Sequence, residues 1–265
     1  MTQPHDPEAP RGKLLAAFAC IYIFWGASFL GVRYAVQDIP PLLTMGLRCF
    51  GGAVILSIWT RARGDWEPTT ADEWKTAALA GALLFIVCHG LLAWAEQRVS
   101  SGRAALFLTG IPLWTVLLSA LYERRRPTTR VVLAMGLGVA GVAVLTRGVG
   151  STGTGIDQFA LVLSAFGWAA GSLVGRHGTR PRSATQTTAM QLTAGAVWLL
   201  SGSLIAGELS GWSPAQVGLR SGVALALLVV CGTAIGFGAY TWLLRVTRPA
   251  VATSYAFVNP VIALG

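Results

Sequence analysis

Charged side chains are scarce in this chain of 265 residues. Asp, Glu, Lys and Arg together make up 12% of the sequence, about half of their share in a typical soluble domain. Hydrophobic residues make up 54% of the chain, and the mean hydropathy is +0.60. This composition excludes a soluble globular domain and predicts an integral membrane protein.

Acidic residues are the scarcer charge, with 11 Asp and Glu against 20 Lys and Arg. The basic residues occur in short runs between apolar segments, so we interpret them as topology signals and expect no nucleic-acid partner. Metal or acid–base catalysis needs clustered carboxylates or histidines, and every aspartate lies in a predicted tail or loop: Asp6, Asp38, Asp65, Asp72 and Asp157. We therefore expect no catalytic residue and regard a membrane-embedded transferase as the weakest alternative.

Paired cysteines and nucleotide-binding loops are also missing. The four cysteines lie in separate apolar stretches without a C-x-x-C pair, so neither a disulfide framework nor a metal site is predicted. No G-x-x-x-x-G-K-[ST] loop occurs, which excludes direct coupling to ATP. We expect the protein to work without a cofactor.

Long apolar segments are abundant. Segments long enough to cross about 30 Å of hydrocarbon are predicted at residues 14–32, 41–59, 77–94, 104–122, 131–145, 159–175, 184–206, 221–244 and from 250 onward. The connections are short and carry Pro, Gly or charge, so no soluble domain is inserted. The sequence predicts an all-α bundle with eight complete spans and a ninth that is cut short.

The basic residues predict the orientation of this bundle. Alternating loops place 14 of them on one side and five on the other, with Arg48 set aside as an intramembrane residue. The richer side is cytoplasmic by the positive-inside rule, which puts the N-terminus in the cytoplasm.

Two stretches of the chain are similar to later stretches. In an ungapped alignment, Gly90, Trp94, Ala104 and Pro112 match Gly238, Trp242, Ala252 and Pro260. A proline inside a spanning helix frees a backbone carbonyl, which is tolerated only where protein or a watery cavity satisfies it. Pro112 and Pro260 therefore predict helix breaks in the fourth and ninth spans, beside a site between the two halves.

The second similarity pairs span one with span six, where Trp25, Ala27 and Arg33 match Trp168, Ala170 and Arg176. Because five is an odd number of crossings, the second unit enters the membrane from the opposite face, and the repeat is predicted to be inverted. Chance similarity of composition is the alternative. The predicted organisation is a tail at residues 1–13, a first unit at 14–147 and an incomplete second unit at 148–265. We expect the second unit to be truncated within span nine, before a tenth helix.

Several separated motifs then occur in a recognisable order: FWGASF in span one, RCFGGAVIL in span two, AEQRVSSGRAALFLTGIPLWTVLLSAL, GLGVAGVAVL in span five and PAVATSYAFVNPVIAL at the end. With these motifs the chain resembles the drug/metabolite transporter superfamily, and more narrowly a bacterial EamA-domain permease. The resemblance implies inverted five-helix repeats in the cytoplasmic (inner) membrane around a cavity lined by helices one, three, four, six, eight and nine. It also implies export of amino acids or other small metabolites.

The candidate substrate-binding residues lie on those helices. Flat side chains with one polar group suit amphipathic solutes, and neutral hydroxyl, amide or imidazole groups supply hydrogen bonds. We predict substrate contacts from Trp25, Ser28, His89, Thr109, Trp168, Ser172, Tyr240, Tyr255 and Asn259. Packing is the alternative for the Ser, Thr and His residues, and Trp94 and Trp242 near span ends are typical of an interfacial belt.

Two charged residues in apolar segments have open alternatives. Arg48 either contacts an anionic solute or is structural, bonded to helix carbonyls or to Glu96. Glu96 either carries a proton or forms an interfacial ion pair with Arg98 or Arg48.

The predicted function is secondary-active export of small metabolites by alternating access. A polar-lipid or lipid-linked sugar flippase on the same fold is the main alternative. The expected partners are a small-molecule substrate and the lipid bilayer, and the expected state is a monomer or a homodimer.

Overall fold

The computed structural model describes residues 10–124, 126–146 and 153–264. Helices account for 81% of these described residues, and no strand occurs among them. The helices follow the predicted spans in order: α1 Arg11–Ala35, α2 Pro41–Ala62, α3 Ala71–Glu96, α4 Ser101–Glu123, α5 Thr129–Thr146, α6 Gly155–His177, α7 Ala184–Ile205, α8 Leu219–Val246, and α9 in two pieces, Pro249–Ala252 (α9a) and Tyr255–Leu264 (α9b).

Seven of these helices, α1 to α4 and α6 to α8, are long and apolar enough to cross a membrane. Large apolar side chains cover their outer faces; Ile205 and Leu219, for example, are 87% and 86% exposed. Such exposure is stable where the surrounding solvent is hydrocarbon. The chain is therefore a multi-pass membrane protein, while the membrane crossing of α5 and α9 stays a prediction.

The break predicted in span four lies where α4 divides into α4a, Ser101–Leu108, and α4b, Ile111–Glu123. Thr109 and Gly110 form the turn between the pieces, and Pro112 lies in the first turn of α4b. Proline suits this position because the first N–H groups of a helix have no intrahelical acceptor.

The second break lies earlier than the sequence predicts. The turn is at Thr253 and Ser254, and α9b runs through Pro260 without interruption. The N–H groups of Ala256 and Phe257 bond back three residues to the carbonyls of Thr253 and Ser254, as in a tight turn. Pro260 is thus a correction: the chain changes direction in the turn before α9b, and a proline inside a helix removes one hydrogen bond without always ending it.

Two helices contain π-helical segments that the sequence did not predict. Residues Ala82–Gly90 of α3 and Leu228–Ile235 of α8 have this wider winding. The two segments overlap in the ungapped alignment that relates Gly90 to Gly238. Wider winding leaves backbone carbonyls available to other helices and frequently marks functional positions.

Contacts between helix ends define two opposite faces of the bundle. On the Lys13 face, the Lys13 ammonium lies 4.8 Å from the Trp242 ring, and Arg176 Nη1 donates to the Leu244 carbonyl at 3.2 Å. The start of α1 and the ends of α6 and α8 therefore meet there.

The Asp38 face lies at the other end of α1. The Asp38 carboxylate accepts hydrogen bonds from Gly218 N and Ser221 Oγ at the start of α8. Arg33 Nη1 donates to the Val99 carbonyl, which brings the end of α3 to the same face. The core of the bundle lies between the two faces, where α1 packs on α8 and α9, and α6 packs on α3 and α4.

Candidate functional site

A cavity opens among α1, α2, α3, α4, α6, α8 and α9b, between the middle of the bundle and the Asp38 face. We call it the central cavity. Its volume, including the open mouth, is about 670 Å³. The side chains that matter for its chemistry are Trp25, Ser28, Arg48, Phe85, His89, Trp168, Thr233, Phe237, Tyr255 and Asn259.

Aromatic rings form the floor of this cavity. The Trp25 ring lies 5.2 Å from the Trp168 ring, 5.1 Å from Tyr240 and 4.6 Å from Tyr255, measured between centroids. Phe237 lies 5.7 Å from Trp168. These five residues, which we call the aromatic layer, are all less than a tenth exposed. Edge-to-face packing at such distances gives a rigid apolar surface on which a flat or aliphatic group can lie.

The π-helical segment of α8 fixes Trp25 in this layer. The indole Nε1 of Trp25 donates a 2.7 Å hydrogen bond to the Gly232 carbonyl. A Cβ atom at Gly236 would lie 2.6 Å from the same nitrogen, so glycine is required for this approach. The π segment of α3 makes a similar contact, because the Cys88 carbonyl accepts a 2.9 Å hydrogen bond from Ser164 Oγ of α6.

Arg48 supplies the guanidinium found among the described residues of the central cavity wall. The residue is buried, and its Nε donates to Thr233 Oγ1 at 2.7 Å. Thr233 is an acceptor that the sequence did not indicate, since the alternatives were helix carbonyls and Glu96. No Asp or Glu lies among the described residues of this wall. The described wall is therefore positively charged, apolar at its floor and without a carboxylate.

Three buried polar atoms in the wall have no hydrogen-bond partner among the described residues. They are Nδ1 of His89, Oη of Tyr255 and Oδ1 of Asn259. Buried polar groups are nearly always paired, so atoms left open around one cavity are where a solute or water would bind.

Glu96 lies near this cavity but outside its wall. The side chain is 1% exposed, and neither carboxylate oxygen has a hydrogen-bond partner among the described residues. The positive charges that act on it belong to Arg33 and Arg48. The expected alternative partner, Arg98, instead forms a 2.8 Å ion pair with Asp157.

Asp157 is a second correction. The sequence placed it in a loop, whereas it is fully buried in the first turn of α6 and caps that helix through Thr154. Carboxylates favour the first turn because they accept from the free N–H groups of a helix start.

Three predicted site residues lie away from the central cavity. The Thr109 hydroxyl donates to the Leu106 carbonyl at 2.6 Å within the turn of α4. Ser172 and Tyr240 bond to each other at 3.0 Å and line a second cavity on the other side of the aromatic layer. Short-range sequence patterns indicate which helix carries a residue but not which side of a buried layer it occupies.

The second cavity has a volume of about 380 Å³ and lies toward the Lys13 face. We call it the arginine cavity. Its polar lining consists of Ser172, Arg176, Arg180, Thr187, Gln191, Tyr240, Thr241 and Arg245. Tyr240 and Phe237 of the aromatic layer separate it from the central cavity.

Metal chemistry has no site in the part of the chain that the structure describes. No group of three or more His, Cys, Asp or Glu side chains there could hold a metal ion. What the bundle offers is a cavity within a membrane-spanning helical protein, which defines the class of small-molecule transporters.

The profile of the EamA-like transporter family matches residues 11–147 and again residues 156–265. The chain belongs to this family of transporters and is not an enzyme. It is 34% identical over 253 residues to an uncharacterized inner membrane transporter, YedA, of Escherichia coli, which covers 95% of this chain and 80% of the relative.

Two further relatives have names that mention amino acids. A probable terminal-alkyne amino-acid exporter of Streptantibioticus cattleyicolor is 26% identical over 95% of this chain and 83% of its own length. A probable amino-acid metabolite efflux pump of Salmonella typhimurium is 24% identical over 92% of this chain and 82% of its own length. One solved structure shares the fold with a TM-score of 0.71 at 20% identity, covering 96% of this chain and 86% of that chain.

Proposed function

We propose that this transporter is a secondary-active exporter of small amphipathic solutes that carry a carboxylate, with amino acids or their derivatives as the leading class. The observation that carries the proposal is the central cavity, where one guanidinium and three unpaired polar atoms surround an aromatic floor. Arg48 would bind the carboxylate, because charge-assisted hydrogen bonds to guanidinium are the strongest available there. The aromatic layer would hold the apolar part of the solute.

The names of the two amino-acid relatives support the same class. The absence of carboxylates from the described wall disfavours solutes whose only charge is positive, since a buried cation needs an acidic partner. The polar atoms of His89, Tyr255 and Asn259 would bind neutral donors or acceptors of the solute.

Export by alternating access is the proposed mechanism, with inverted units at residues 14–147 and 148–265. One observation supports inversion: α1 begins on the face where α6 ends. Two others support the repeat itself, since the π-helical segments of the two units overlap in the alignment and each unit has a broken helix. The N-terminus is proposed to be cytoplasmic, because 14 of the 20 basic residues lie on the Lys13 side in the predicted topology.

A proton is the proposed coupling ion, with Glu96 as its carrier. A carboxylate buried without a hydrogen-bond partner is stable only when a proton or a nearby cation neutralises it. Arg33 and Arg48 are the cations that act on Glu96, but among the described residues neither forms an ion pair with it, which leaves a proton as the group that would neutralise the carboxylate.

Counterflow in proteoliposomes tests the function. Vesicles of phosphatidylcholine and phosphatidylethanolamine that contain the protein are loaded with an unlabelled solute, and uptake of the labelled solute is followed across a panel of amino acids and aromatic carboxylates. At least one carboxylated solute should accumulate transiently, and Asn259→Ala should abolish this accumulation while Trp198→Ala, on the lipid-facing surface, preserves it. Transfer of a labelled polar lipid between leaflets without any solute counterflow would favour the flippase instead.

A further inference from the structure

We propose that the arginine cavity is an oxyanion-binding site, which captures the carboxylate or phosphate group of a ligand at the Lys13 face. That such a ligand then proceeds to the central cavity rests on the proposed function; the binding site itself does not. The inference comes from three arginines that meet in one half-buried cavity without an acidic partner.

The three arginines come from separate parts of the chain. Arg176 lies in the last turn of α6, Arg180 in the connection to α7, and Arg245 in the last turn of α8. All three line the same cavity of about 380 Å³ and are partly buried. Positive charges that repel one another are brought together here by the fold.

No carboxylate neutralises this cluster within the ranges that the structure describes. The ion pairs found there are Arg63–Asp65, Lys75–Asp72 and Arg98–Asp157. Glu73 lines a shallow neighbouring pocket together with Arg180, but its carboxylate accepts a 2.8 Å hydrogen bond from the N–H of Thr70 and caps α3. Three unneutralised guanidinium groups in a partly dry cavity favour an anion from outside.

Neutral acceptors hold the arginine side chains in position. Arg176 donates to the Leu244 carbonyl, Arg180 donates to the carbonyls of Gly175 and Arg176, and Arg245 donates to the Pro181 carbonyl and the Thr187 hydroxyl. Carbonyl and hydroxyl dipoles orient a guanidinium group but leave its charge in place. The site is thus preorganised and still cationic.

The charges also influence one another. Burial and the neighbouring Arg176 lower the pKa of Arg180 below its ordinary value. The Nε atom of Arg245 is buried and has no hydrogen-bond partner among the described residues. A bound oxyanion would relieve both conditions, since it accepts hydrogen bonds and screens the repulsion.

The positive-inside rule alone does not explain why these three arginines are partly buried in one cavity. Arg182 and Arg248 are exposed near the same face, and exposed residues meet the positive-inside rule as well as buried ones do. Hydrogen-bonding side chains also line the cavity, among them Ser172, Thr187 and Gln191. The Tyr240 hydroxyl lies at the inner end of the arginine cavity. The Tyr240 ring packs on the Trp25 ring, with 5.1 Å between their centroids. Phe237 of the aromatic layer lines both the arginine cavity and the central cavity.

The test is thermal unfolding of the purified full chain in nanodiscs of phosphatidylcholine, titrated with sodium benzoate, inorganic phosphate or sodium chloride at constant ionic strength. Benzoate or phosphate should raise the midpoint of wild-type unfolding in a saturable way, and chloride should not. Arg176→Gln and Arg180→Gln should each weaken the apparent affinity by about tenfold, the loss of one charge-assisted interaction. The exposed control Arg248→Gln should keep the wild-type affinity.

Equal shifts with all three salts, or equal affinities in all four proteins, would overturn the site. A parallel titration in nanodiscs with phosphatidylglycerol separates the sources of the anion. An undiminished benzoate shift in phosphatidylglycerol supports a soluble ligand. If the wild-type shift is present in phosphatidylcholine but lost in phosphatidylglycerol, the site binds a lipid headgroup, and this result would overturn the capture of solutes. Counterflow separates this proposal from the transport function: transport without an arginine-dependent shift refutes only the arginine site, and the shift without counterflow refutes only export.

Discussion

The indole Nε1 of Trp25 donates a 2.7 Å hydrogen bond to the backbone carbonyl of Gly232, 207 positions away in the chain. The carbonyl is available because residues Leu228–Ile235 wind as a π-helix. This bond joins α1 of the first half to α8 of the second half at the floor of the central cavity. It is the contact through which a solute on the aromatic layer would influence both halves.

Replacing this donor should affect transport more than stability. Trp25→Phe keeps an aromatic ring but leaves the Gly232 carbonyl unpaired, at an expected cost of about 1–3 kcal/mol in stability. We expect counterflow to fall strongly, while size-exclusion chromatography still shows a folded variant.

Trp198→Phe is the matched control for this change. Its Nε1 donates a 3.1 Å hydrogen bond to the Ala78 carbonyl, and the side chain is 46% exposed on the outer surface. It should lose similar stability and keep full counterflow. Equal transport loss in the two variants would show that the floor of the cavity has no special role.

Gly232 itself should not tolerate a methyl group. A Cβ atom there would lie 2.7 Å from Ser28 Oγ and 3.2 Å from Nη2 of Arg48. Gly232→Ala should therefore displace Arg48, destabilise the protein by about 1–3 kcal/mol and lower counterflow. Gly238→Ala in the same helix, where a Cβ meets no atom within 4 Å, should be neutral in both measurements.

The sequence predicted the bundle well because hydrocarbon imposes a simple length and polarity rule on every span. The predicted segment at 41–59 and the helix Pro41–Ala62 illustrate this, since a proline start and a basic end frame the apolar run. The π-helical segments were missed because no residue type encodes the wider winding. The partner of Arg48 was missed because Thr233 lies 185 residues away, and pairing over that distance depends on the tertiary fold.

The sequence also could not predict on which side of the aromatic layer a residue lies. Trp168 and Ser172 are one helical turn apart on α6, yet the first lines the central cavity and the second the arginine cavity. A one-turn displacement of about 6 Å is enough to cross a single layer of rings.

Arg48 should determine the charge preference of the solute. Arg48→Gln should abolish counterflow of carboxylated solutes, and Arg48→Lys should retain part of it, because lysine keeps the charge but loses the planar guanidinium geometry. Thr233→Val removes the acceptor of the Arg48 Nε bond and should raise the half-saturating concentration without abolishing transport. Undiminished transport of a carboxylated solute by Arg48→Gln would contradict the assigned role.

Glu96 should determine the response to a pH gradient. Glu96→Gln removes the proton-carrying group in a similar shape, so accumulation driven by a pH gradient should disappear while counterflow, which requires no net proton movement, persists. The exposed Glu123→Gln should behave like wild type in both assays. Gradient-driven accumulation by Glu96→Gln would rule out Glu96 as the carrier.

Asp38 should make stability depend on acid pH. Hydrogen bonds from Ser221 and Gly218 lower the pKa of this carboxyl group, which lies in the connection after α1. A depressed pKa means that its stabilisation is present above the ordinary carboxyl range and is lost as the pH falls through the folded-state value. The unfolding midpoint of wild type should therefore exceed that of Asp38→Asn at neutral pH, and the difference should shrink in acid. Asp65→Asn, in an exposed ion pair, should show little difference at any pH.

Alternating access requires that the two cavities open to opposite sides of the membrane in turn. In a background without the four native cysteines, Ser28→Cys reports the central cavity and Ser172→Cys reports the arginine cavity to membrane-impermeant thiol reagents applied from either side. Ser28→Cys should react faster from the Asp38 face and Ser172→Cys faster from the Lys13 face, and a counterflow solute should change the two rates in opposite directions. Equal reaction of both positions from either side, unchanged by the solute, would mean a continuous pore and would contradict alternating access.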